Sequence, residues 1–197
     1  LTPAGIAPDA QAILDLWFGA PGSPQFGADR KLWWHKKRTF DAMLTERFGA
    51  LLEEAQAGGL PDWADTPPGT LALIVLLDQF SRNCYRNTPR AFAGDARALA
   101  LARQMIESGD DLRLPSPYHR AFAYMPFEHD ETPESQREAL RLFGKLSEET
   151  GVASFHESAI KHAEVIERFG RFPHRNRILG RKMLPDEEAW LAEHGGF

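Results

Sequence analysis

Helix-start signals constrain this chain more than anything else in it. At Thr66-Pro67, Thr88-Pro89, Ser116-Pro117 and Thr132-Pro133 a hydroxyl residue stands directly before a proline. The hydroxyl can accept from a free N–H of a first helical turn, and proline loses nothing at the first helical position. Pro185-Asp186-Glu187-Glu188 gives a further start, with acids facing the positive end of the helix dipole. Asp9 is expected to cap a first helix leading into Trp17-Phe18.

The segments behind these starts carry helical spacing. Trp33, Phe40, Leu44, Phe48, Leu51 and Ala55 fall along one face, as do Leu140, Phe143 and Leu146, and again Phe155, Ala159, Ala163, Ile166 and Phe169. Glycines stand where helices should stop, at Gly58-Gly59, Gly109, Gly151 and Gly170. The apolar run Leu71–Leu77 could be a buried strand by length. It reads as a buried helix, because no alternating partner strand occurs in the chain. The expected fold is therefore all-α, a single-domain multi-helix bundle of about eight helices over residues 1–197. Residues 19–28 form the clearest loop and 58–69 the second, and neither separates two compositions.

Composition bounds the function. The chain has 197 residues, 43% hydrophobic, 26% charged, with a net charge of −5. An acidic balance argues against non-specific nucleic-acid binding, where phosphates are held by many Lys and Arg. A single cysteine, Cys84, excludes a disulfide framework and a multi-cysteine zinc site. Residues 1–30 show no basic stretch followed by an apolar run, and the run Leu71–Leu77 is too short to span a bilayer. The expected location is the cytoplasm, with neither membrane nor nucleic acid as partner.

Four clusters carry chemistry. From Arg168 to Lys182 there are six Lys/Arg and no Asp or Glu, a positive patch in an acidic protein. Its core, Arg168-Phe169-Gly170-Arg171-Phe172-Pro173-His174-Arg175-Asn176, offers planar guanidinium forks suited to carboxylate or phosphate. The alternative is that these arginines neutralise nearby carboxylates. Asp78 and Arg82 are four apart and share a helix face, either as an ion pair closing a helix end or as part of a polar pocket. Met125-Pro126 should bend or end its helix, and carboxylates then flank His129, a candidate general acid or base. His162 lies on an apolar helix face, where a histidine is either a hydrogen-bonded core residue or a second proton-transfer group.

No ligand spacing for a metal is present, neither His-Glu-x-x-His, nor a calcium loop, nor paired Glu-x-x-His. Ser81 has no nucleophile-elbow context, and there is no glycine-rich phosphate loop.

Several ordered motifs resemble one bacterial family. They are Leu76-Leu77-Asp78-Gln79-Phe80-x-Arg82-Asn83, Thr88-Pro89-Arg90-Ala91-Phe92, Tyr124-Met125-Pro126-Phe127-x-His129-x-Glu131 and the segment Arg168–Asn176. Leu14-x-x-Trp17-Phe18-Gly19 and Leu179-Gly180-Arg181 extend the match. The family is named domain of unknown function 924, and the resemblance covers nearly the whole chain. It implies an all-helical fold similar to a tetratricopeptide-like superhelix and implies no activity. The family pattern has proline where Ser81 stands, which weakens Ser81 as a shared nucleophile. Glu128 and Asp130 occupy variable positions of the pattern, whereas His129, Glu131, His162, Arg168, Arg171, His174, Arg175 and Asn176 match it.

The function expected from these residues is the binding, with or without transformation, of a small anionic molecule. Asp78, Arg82, Arg168, Arg171, His174, Arg175 and Asn176 would form the pocket, and His129 or His162 would move any proton. Two alternatives stand beside it: a tetratricopeptide-like groove that binds a peptide, and a buried polar network with a purely structural role. No cofactor and no oligomeric state follow from the sequence.

Overall fold

The computed structural model describes residues 5–197. Among them every regular element is helical. The α-helices are α1 (Pro8–Phe18), α2 (Arg38–Gln56), α3 (Pro67–Val75), α4 (Ser81–Cys84), α5 (Asp95–Ser108), α6 (Pro117–His129), α7 (Pro133–Thr150), α8 (Ser154–Phe169) and α9 (Pro185–His194). A single π-helical turn, Leu76–Phe80, joins α3 to α4 without a break, which leaves eight separate helices among the described residues. None of the described helices is long and apolar enough to cross a membrane.

The expected caps form at three of the Ser/Thr-Pro sites, among them Ser116, whose Oγ accepts from His119 N at 3.4 Å. Thr66 Oγ1 accepts from Gly69 N at 3.2 Å, and Thr132 Oγ1 accepts from Ser135 N at 3.2 Å. Glu187 accepts from Leu184 N at 2.8 Å and closes the start of α9. Two expectations need correction. Asp9 lies inside the first turn of α1, where it meets the helix dipole, and Ala7 occupies the cap. Thr88-Pro89 opens only a short 3-10 turn, Pro89–Phe92, ahead of α5.

The chain divides into two compact units, residues 1–86 with 90–126, and residues 87–89 with 127–197. In the first unit, Leu71 to Leu77 are fully buried, so the apolar run is a core helix packed against α1 and α5. From α2 the core takes Leu44, Phe48, Leu52 and Ala55. Leu52 takes the inward position that the spacing gave to Leu51, continuing the i, i+4 rows from Leu44 and Phe48. Trp33 stands outside α2, in a 3-10 turn of its own, with its ring 4.8 Å from Phe122. Trp17 meets Phe80 at 5.4 Å and Phe122 at 5.6 Å, and these ring pairs knit the unit together.

In the second unit, α7 and α8 pack along their length as an αα-hairpin across the left-handed Gly151. Val165, Ile166 and Phe172 form a core with Phe169 and Trp190 against it. The helix expected to bend or end near Met125-Pro126 does not end there and runs on to His129. Gln136 supplies the reason. Its side-chain amide lies 3.3, 2.8 and 2.7 Å from the carbonyls of Phe127, Glu128 and Asp130, which gives the last turn of α6 the donors it lacks.

Candidate functional site

Asp78 and Arg82 belong to the first unit. The π-helical turn widens the backbone at Asp78, and such turns often mark functional positions. Asp78 is buried, and its carboxylate accepts from Gln79 at 2.6 Å and pairs with Arg82 at 3.2 Å. Arg82 also donates to Asp78 O at 2.7 Å and grips Asp95 with both arms, at 2.9 and 3.0 Å. Burial alone would lower the Arg82 pKa. The charges of Asp78 and Asp95 outweigh it and raise the value. Asn83 donates to Asp41 at 2.7 Å, and Ser81 Oγ is buried and accepts from Gln56 at 3.1 Å. The geometry here is that of an ion-paired helix end.

The remaining predicted residues, His129, His162, Arg168, Arg171, His174, Arg175 and Asn176, all fall in the second unit. Most of them feed one polar network. Arg171 meets Glu187 with two hydrogen bonds, at 2.6 and 2.9 Å, and Asn176 reaches the same carboxylate at 3.0 Å. The bonds from Arg171 lead in holding the Glu187 carboxyl below its ordinary pKa, and the same pairing raises Arg171. Arg175 is buried, donates to His129 O at 2.8 Å and lies 4.7 Å over the Phe172 ring. Glu131 receives Arg181 at 2.7 and 3.0 Å and the Phe172 N–H at 2.7 Å. Burial would raise the Glu131 pKa, but these donors, with the Arg175 charge, hold it below the usual value.

The histidines gather around Phe172. The ring of His162 lies 6.2 Å from His129, 5.4 Å from Phe172 and 3.7 Å from Phe197, on which it stacks. His174 packs on Phe172 at 5.8 Å and on Phe197 at 5.8 Å. His162 Nδ1 sits 2.9 Å from Ser158 O and 3.1 Å from Glu128 Oε1. The carbonyl takes the aligned hydrogen bond, and Glu128 makes a close polar contact beside it. In the sequence Glu128 occupies a variable position of the family pattern and carries no signal of this contact. Its partner lies 34 residues on, and no spacing rule connects the two.

Arg168 differs from its neighbours. It is exposed, makes no ion pair among the described residues, and lies 4.9 Å over the Phe169 ring. It borders two open cavities. One, of about 600 Å³, is walled by Lys161, Glu164, Val165, Trp190, His194 and the segment 195–197. The other, of about 820 Å³, adds Arg171 and Lys182. Lys161 and Lys182 are likewise without an ion pair among the described residues. Trp190 and His194 stack at 4.9 Å to make a flat wall in the first cavity. Neither residue carried a sequence signal beyond an i, i+4 aromatic pair near the end of α9. No group of metal-ligating side chains gathers among the described residues.

Over residues 13–195 the chain matches the bacterial protein family of unknown function DUF924. This chain belongs to the DUF924 family. A solved structure of a protein of unknown function from Agrobacterium tumefaciens shares the fold, with a TM-score of 0.81 and 35% identity. The likeness covers 93% of this chain and 97% of that one. No curated protein matches. Membership in DUF924 thus accounts for the ordered motifs and brings no activity with it.

Proposed function

We propose that this DUF924 protein is a cytoplasmic binder of a small anionic molecule with a flat apolar part, and that its site is the cavity of about 600 Å³ in the second unit. The observation that carries this reading is the contrast among the arginines. Arg171, Arg175 and Arg181 are committed to Glu187, His129 O and Glu131, whereas Arg168 and Lys161 are exposed cations at the cavity with no ion pair among the described residues. A guanidinium and an ammonium on one helix face grip an anion through charge-assisted hydrogen bonds. Trp190 and His194 supply a stacking surface for the rest of the molecule. Glu164, between the two cations on α8, disfavours a second negative group at that point.

Phenyl phosphate, benzoate and inorganic phosphate serve as probes in calorimetry and thermal-shift measurements. The aromatic anions are expected to bind, and inorganic phosphate to bind more weakly, because it leaves the Trp190 wall unused. Arg168→Gln removes an exposed group, so folding should be unchanged within about 0.5 kcal/mol. The loss of binding to phenyl phosphate should be about 1–3 kcal/mol, the scale of a hydrogen bond to a charged group. Equal binding by wild type and R168Q, or no binding of any probe, would overturn the reading.

A further inference from the structure

The first unit holds a cavity that the reading above does not use. It measures about 250 Å³ and is walled by α1, the loop behind it, the start of α3, the segment 113–115 and His119 of α6. Leu14, Leu71, Leu114, Pro21, Pro68 and Phe26 make most of that wall apolar. A cavity of about 150 Å³ lined by apolar side chains stays dry and accepts benzene. The larger volume here fits a fused or substituted aromatic ring.

The polar groups at this cavity are few and fixed. Asp15 is bonded to Gln11 at 2.7 Å, and Arg113 to Asp110 at 2.8 Å. His119 is the exception. It is 97% buried, and its ring is held by a 4.0 Å stack on Phe18 and a 5.4 Å contact with Phe26. Ser116 Oγ, which also caps the start of α6, engages Nδ1 at 2.7 Å. Nε2 then has no protein hydrogen-bond partner among the described residues, and His119 lines the cavity. Burial pushes the His119 pKa down to about 4, so the ring is neutral at physiological pH.

The wall is also preorganised. Gly19 has φ +88°, and a side-chain carbon there would lie 2.6 Å from the Gln25 carbonyl carbon and 2.7 Å from Phe26 N. Only glycine lets the loop return this close, and that return places Phe26 on the cavity. A pocket with apolar walls, one convergent polar atom and a fixed lining has the ordinary make-up of a small-molecule site.

We infer that this cavity is a second binding site, for a small neutral aromatic molecule carrying one hydrogen-bonding group, with His119 Nε2 as its polar anchor. A charged ligand is disfavoured, because the wall already carries one charge of each sign, Asp15 and Arg113, and is otherwise mostly apolar. The site is independent of Arg168 and of the anion reading.

The test uses the full chain with indole as probe and indene as its counterpart, matched in shape but without the N–H. In calorimetry, indole is expected to bind wild type about three- to tenfold more tightly than indene, the ratio one neutral hydrogen bond gives. His119→Phe keeps a ring in the stack and should bind the two probes equally. Leu114→Phe fills the cavity and should bind neither, while Arg168→Gln should bind both as wild type does. Methyl chemical shifts of Leu14, Leu71 and Leu114 locate the bound probe without any variant, so a misfolded substitution does not decide the matter. Absence of indole binding up to its solubility limit would overturn the proposal. So would binding that leaves those methyls unmoved, or an indole preference that survives in H119F.

Discussion

At the residue scale, Arg168 and Arg175 stand seven positions apart in one basic segment, yet their surroundings assign them opposite work. Arg175 is buried, bonded to a helix-end carbonyl and stacked on Phe172. Arg175→Lys keeps the charge and loses the planar fork and the stack, so urea unfolding should show a loss of about 1–2 kcal/mol. Its affinity for phenyl phosphate should match wild type, the reverse of the R168Q pattern. His119 gives a second prediction, in pH. Its folded pKa of about 4 lies below the ordinary 6.5, so between those values the unfolded chain binds the proton more readily. Stability from this group is therefore complete above about pH 6.5 and falls as pH drops toward 4, by up to about 3 kcal/mol. The depressed carboxyls Glu131 and Glu187 also stabilise, fully above their unfolded value near 4.5 and progressively less as pH falls through their lowered folded values, so their loss comes lower. Urea midpoints at pH 7 and pH 5.5 should differ clearly in wild type and much less in H119F.

At the element scale, α6 shows where local rules end. Proline removes a helix donor and disfavours helical geometry in the residue before it. The helix nevertheless passes Pro126, because Met125, Pro126 and Phe127 are buried and Gln136 donates to the final carbonyls. Gln136→Ala should cost about 1–3 kcal/mol in chemical unfolding, since it strands buried acceptors at the end of α6. Hydrogen exchange should speed up at His129 and Asp130 in that variant more than in α8. By contrast, α3, α7 and α9 begin where their capping residues stand, because a cap acts within one turn and needs no distant partner.

At the scale of the whole chain, the two compact units come with unequal optical labels. Trp17, Trp33, Trp34 and Trp63 lie in the first unit and Trp190 in the second. The single domain expected from uniform composition predicts one unfolding curve by tryptophan fluorescence and by far-UV circular dichroism. Two separated curves would assign the units independent stability, and a strand signal in the spectrum would contradict the helical fold. The sequence by itself determined the helical class, the positions of most helix ends and the family, because caps, glycine stops and 3.6-residue spacing act between near neighbours. It also marked the basic segment as chemically unusual. Only the tertiary structure decided which arginines of that segment meet a carboxylate and which, like Arg168, make no ion pair among the described residues. Glu187 lies 16 residues beyond Arg171, and Glu131 lies 50 residues before Arg181. Those pairings are invisible to any local pattern, and the same distance hid the contact of His162 with Glu128 and the burial of His119. Charge and residue type are written in the chain, but whether a charge faces a partner, a cavity or solvent is settled by which segments pack against it.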